Sequence, residues 1–161
     1  MRIATLSSLA LLLVLPVVIA ETARAQQAAP APRITLEEAE AAMDAAEAEA
    51  TSNGWNLVFL ITDAEGTPIY LRRMDGVPTR NYEIAVSKTR TAITAGMHTV
   101  DYAAAVQAGE IEAIDGAVTF DGGLLLRRNG EIVGAFSASG ARGAEDAQAV
   151  RAGMAAIGIE P

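Results

Sequence analysis

Asn129-Gly130 limits the folding of this chain more than any other feature. Both residues tolerate left-handed backbone, and they separate the apolar segments Leu124–Arg128 and Glu131–Ala138, the pattern of a two-residue β-hairpin. A second apolar run, Leu57–Ile61, leads through Asp63-Ala64-Glu65-Gly66 into Thr67–Arg73, which reads as another hairpin. Strands joined by tight turns pair antiparallel, so the sheet is assembled from hairpins and not from βαβ crossovers. Leu57–Ile61 has no polar residue, which predicts a central strand covered on both faces. Pro68 lacks a donor for the ladder and places its strand at an edge.

Helical patterns surround the hairpins. Thr35 and Glu38 have capping-box spacing, and Leu36, Ala39, Met43, Ala46 and Ala50 recur at helical intervals up to Asn53-Gly54. A second helix is expected over Arg80–Ala95, ended by Gly96, with a short third over Val100–Ala108 and a last over Asp146–Ile157. The expected order is α-β-β-α-α-β-β-α, an α+β fold with helices packed on an antiparallel sheet. A further short strand is expected near Ala117–Phe120.

The start of the chain reads as a secretory signal over residues 1–25. Arg2 is its basic end, Leu9–Ala20 its apolar run, and Ala23-Arg24-Ala25 presents small residues to a signal peptidase, predicting cleavage after Ala25. That apolar run falls short of the about 20 residues a membrane span needs, so no stable membrane insertion is expected after cleavage and the protein is placed in the periplasm or outside the cell. Residues 26–33 form an Ala/Pro linker, and residues 34–161 one domain. Without the leader the chain keeps 19 acids against 10 bases. Such a surface repels phosphate backbones, which argues against nucleic acid as a partner. The absence of cysteine excludes disulfides and thiolate chemistry, and a single histidine excludes multi-histidine metal sites within one chain.

Several short elements recur in order: Gly54-Trp55, Thr62-Asp63-Ala64-Glu65-Gly66, Arg73-Met74-Asp75, Ala85-x-x-Lys88-x-x-Thr91-Ala92, Gly122-Gly123, and Gly130-Glu131-Ile132-Val133-Gly134-Ala135-x-x-x-Ser139-Gly140. In order and spacing they resemble the GlcG/HbpS-like family, over about Ile34–Gly158. That family is related to the C-terminal domain of PduO-type corrinoid adenosyltransferases and includes haem-binding extracellular proteins and proteins encoded beside glycolate-use enzymes. The resemblance implies a homo-oligomeric small-ligand-binding domain more firmly than it implies an enzyme. Two positions depart from the family pattern: Ser137 stands where a glycine is usual, and Leu125 where a proline often follows the glycine pair.

The candidate site residues are few. His98, the only histidine, is of the usual axial-ligand type for haem iron, with Met97 beside it; the alternative is a loop histidine without a role. Lys88 is the only lysine, on the helix face expected to meet the sheet. It either pairs with a carboxylate such as Asp63 or Asp75, or holds a propionate or other carboxylate. Arg73 with Asp75 is placed either to clamp a small anion or to form a mutual pair. Gly122, Gly123, Ser139 and Gly140 either line a cleft or relieve crowding, and Tyr82 and Tyr102 either stack on a planar ligand or pack in the core. The acidic face Glu37, Glu40, Asp44 and Glu47 reads as hydrated surface. Together these give an exported protein that binds haem or a related tetrapyrrole non-covalently. The alternatives are an enzyme acting on a small carboxylate or carbonyl compound through Lys88, and an oligomeric structural or interaction module.

Overall fold

A computed structural model describes residues 33–160; the expected signal (1–25) and nearly all of the linker lie outside the described residues. The elements are α1 (Leu36–Ser52), β1 (Val58–Thr62), β2 (Pro68–Arg73), α2 (Thr79–Ala95), α3 (Thr99–Ala108), β3 (Gly123–Arg128), β4 (Glu131–Ser139) and α4 (Gly143–Ala156). The expected order holds. Residues 117–120 form no strand; Val118 instead donates its amide to the Thr91 hydroxyl of α2 (3.0 Å), a side-chain partner that replaces a ladder.

The four strands form one antiparallel sheet in the order β2-β1-β4-β3. β1, buried throughout, is central beside β4, and the strand that opens with Pro68 is at the edge. Asn129 (φ 52°) and Gly130 (φ 83°) both take positive φ, as a turn matched to the strand twist requires.

Strand alternation sorts the core onto two faces. Leu57, Phe59 and Ile61, with Leu124, Leu126, Phe136 and Ala138, face α1 and α4. Phe59 and Phe136 meet there as tilted rings 6.3 Å apart. α1 and α4 contribute mostly alanines, which let the helices lie close to the sheet; Leu36, at the start of α1, is exposed. On the opposite face Val58, Leu60, Ala135 and Leu125 receive α2 through Ala85 and Ala92.

The capping box forms as expected: the Glu38 amide donates to Thr35 Oγ1 (3.2 Å) and the Thr35 amide to Glu38 Oε2 (2.9 Å). Part of the acidic face of α1 has a task in packing. Asp44 and Glu47 both accept from Arg72 of β2 at 2.7 Å, and the Arg72 guanidinium lies over the Tyr70 ring. α4 begins three residues before Asp146, because Glu145 takes the Arg142 amide (3.0 Å) and closes the first turn there.

Candidate functional site

α2 turns Ala85, Lys88 and Ala92 towards the sheet, and Lys88 is fully buried. Its Nζ donates to Asp146 Oδ2 (2.7 Å) and to the Ala138 carbonyl (2.7 Å), and lies 5.5 Å from the centre of the Phe120 ring. Asp146 is buried as well, and its second oxygen accepts the Ala141 amide (3.0 Å). The expectation that Lys88 pairs with Asp63 or Asp75 is therefore corrected. Asp63 is occupied within its own turn, accepting the Glu65 and Thr67 amides at 3.0 and 2.7 Å, and Asp75 is exposed. Burial pulls the Lys88 amine below its usual range and pushes the Asp146 carboxyl above its own, each opposed by the partner's charge.

The glycine pair makes room for this lysine. A Cβ on Gly122 would stand 2.5 Å from Lys88 Nζ and 2.7 Å from Asp146 Cβ. On Gly123 it would meet the Lys88 carbonyl oxygen and Thr99 Cγ2, both at 2.8 Å. Gly140 likewise lies against the Asn56 carbonyl. The two departures from the family pattern are absorbed in the same region. Ser137 is buried and donates to the Ala85 carbonyl of α2 (2.8 Å). Leu125 packs with Ala92 and Ala135, and has an amide that proline would lack.

That amide leads to His98. Leu125 lies on the edge strand β3 and donates to His98 Nδ1 (3.0 Å), while Gly123 donates to the Thr99 hydroxyl (3.1 Å). The start of α3 thus covers part of an edge that would otherwise expose unpaired amides. Because Nδ1 accepts, the proton of neutral His98 sits on Nε2. Burial holds the imidazole below its ordinary pKa; the Asp101 charge opposes this and Arg151 and Arg127 reinforce it. Tyr102 is buried and accepts the Ile114 amide (2.8 Å), a core role.

Two of the clefts along α2 bear on the expected site residues. One, of about 360 Å³, lies beside the ion pair, bounded by Lys88, Asp146, Phe120, Ser139, Gly140 and Asn81. It gathers Lys88, Ser139 and Gly140 from the expected site. The other, about 350 Å³, runs between the β1–β2 hairpin and α2. Leu60, Pro68, Val86 and Ile93 form its apolar lining, with the exposed Tyr82 and Arg90 on α2. Arg73, the last residue of β2, and Asp75, just beyond it, are exposed and line neither cleft, and no ion pair joins them among the described residues. His98 also lines neither. Asp146, Asn81, Phe120 and Val86 carry no local signal that would have marked them; Asp146 is 58 residues from Lys88 in sequence.

Residues 34–155 match the family described as haem degrading protein HbpS-like. The chain belongs to the HbpS-like family. Among solved structures it is similar to a PduOC:heme complex (TM-score 0.72, 27% identity, 80% of this chain and 97% of that one). It is also similar to a double mutant of HbpS from Streptomyces reticuli (TM-score 0.71, 30% identity, 83% and 92% covered). An uncharacterised 15.0 kDa protein of the dhaT-dhaS intergenic region in Citrobacter freundii is 31% identical over 113 residues, 66% of this chain and 80% of the relative. The hairpin-built sheet is the one expected of an HbpS-like fold.

Proposed function

We propose that this protein is an exported HbpS-like protein that binds haem or a related tetrapyrrole non-covalently and works as a homo-oligomer. The observation that carries this reading is the groove between the β1–β2 hairpin and α2. A tetrapyrrole needs apolar surface for its ring, a cation for its propionates and a ligand for its iron. Pro68, Val86 and Ile93 supply the first, Arg90 the second, and the Tyr82 phenol is an iron-ligand type on the same stretch of helix. The groove residues thus fit the group, and the groove volume of about 350 Å³ lies in the range of small-molecule sites. Bound haem would bring redox-active iron; the chain's own residues would hold the ring, pair its carboxylates and keep water from one face. The family description and the similarity to a haem complex support the same ligand. Leu71 is exposed on the edge strand β2, whose free side can take a second copy, and the Ala23-Arg24-Ala25 leader supports export.

The test is a visible-absorbance titration of residues 26–161 with hemin, beside Tyr82→Ala, Arg90→Gln and His98→Ala. Wild type gives a saturable, shifted Soret band. Tyr82→Ala weakens binding about tenfold, equivalent to about 1.4 kcal/mol, and His98→Ala leaves the band in place. No saturable band in wild type defeats the proposal. A band altered only in His98→Ala moves the iron to the start of α3.

A further inference from the structure

The cleft beside Lys88 is a separate matter from the tetrapyrrole groove. Asn81, in the first turn of α2, donates through Nδ2 to Ser139 Oγ (3.3 Å), while its Oδ1 is buried with no hydrogen-bond partner among the described residues. Ser139 is buried, and its hydroxyl hydrogen has no acceptor among the described residues, so it is available to the cleft. The wall contains a net charge. Lys88 and Asp146 neutralise each other, whereas Arg80 is exposed and forms no ion pair among the described residues. Gly140 and Gly143 leave the approach to the start of α4 without side chains. The cleft therefore offers one orphaned acceptor, one hydroxyl donor and one uncompensated cation within about 360 Å³.

We propose that this cleft binds a small monocarboxylate that carries a hydroxyl group. The carboxylate lies against Arg80 and the Ser139 hydroxyl, and the ligand's O–H donates to Asn81 Oδ1, the acceptor the fold leaves open. A hydroxyl suits that place better than an ammonium, because Asn81 offers no charge to balance one. A phosphate, with its higher charge, suits the place less. Glu145 and Asp146 already place two acidic residues in the first turn of α4, which works against a second, more highly charged anion there.

Calorimetric titration of the full mature protein with L-lactate and 3-hydroxybutyrate, against propionate, butyrate and inorganic phosphate, decides it. At least one hydroxy acid binds saturably and about tenfold more tightly than its deoxy counterpart. Asn81→Leu removes that difference, and Arg80→Gln, at an exposed position where folding is undisturbed, weakens both acids. Equal affinity for hydroxy and deoxy acids, undiminished preference in Asn81→Leu, tighter binding of phosphate, or no binding of either hydroxy acid overturns the assignment. Hemin affinity is unchanged in Asn81→Leu and hydroxy-acid affinity unchanged in Tyr82→Ala, so either site fails without the other.

Discussion

Replacing Lys88 with methionine keeps the length and most of the packing of the side chain but removes the ammonium. Asp146 then remains buried with only the Ala141 amide on its carboxylate. Breaking a buried pair at one end costs about 3–5 kcal/mol, a large part of the about 5–15 kcal/mol that stabilises a typical domain. In urea, with an m-value of about 2 kcal/mol/M, the midpoint falls by about 1.5–2.5 M. Asp146→Asn alone also loses stability, yet the double variant recovers much of the loss, since no isolated charge is left inside. The single variant has a pH signature as well. Without Lys88 the folded Asp146 carboxyl titrates further above its unfolded value of about 3.9, so the folded state binds the extra proton. The penalty in Lys88→Met therefore shrinks as the pH is lowered from 7 towards 5. A loss below about 1 kcal/mol, the value of a surface pair, would refute the reasoning, as would additive losses in the double variant.

Two further outcomes follow from the β3 edge. Neutral His98 accepts the Leu125 amide and burial holds its folded pKa below the ordinary value, so protonation opposes folding. This stability is complete above the unfolded pKa of about 6.5 and is lost as the pH falls below that value and through the lower folded pKa. Thermal unfolding from pH 7.5 to 5 should show wild type losing about 1 kcal/mol relative to His98→Gln, whose side chain accepts without titrating; parallel pH profiles would sink the idea. Gly123→Ala forces a methyl to within 2.8 Å of the Lys88 carbonyl and Thr99. It should cost about 1–3 kcal/mol in denaturant unfolding, and an unchanged midpoint would show that α2 does not pack on that glycine as described.

The legible parts of this protein are those set by neighbours in the chain. Asn129-Gly130, the Thr35–Glu38 box and the unbroken run ending at Ile61 each state a local geometry, and each forms. Pro68 marked an edge strand because a missing donor is a property of one residue. The strand expected at Ala117–Phe120 failed for the opposite reason: apolar content there is not matched by a partner strand, and Thr91 of α2 takes the Val118 amide.

By itself the sequence determined the order of elements, the hairpin-built antiparallel sheet and the presence of one lysine on the inner face of a helix, since periodicity and turn chemistry act over a few residues. Only the tertiary structure decided that Asp146, and neither Asp63 nor Asp75, receives that lysine, and that Gly122 and Gly123 are spaces for its side chain and helix. It likewise decided that the sole histidine serves the Leu125 amide, 27 residues away. The reason is physical. Any of 19 carboxylates in the chain beyond residue 25 can neutralise a lysine, and the choice among them falls to whichever one the packed helices and sheet exclude from water beside it.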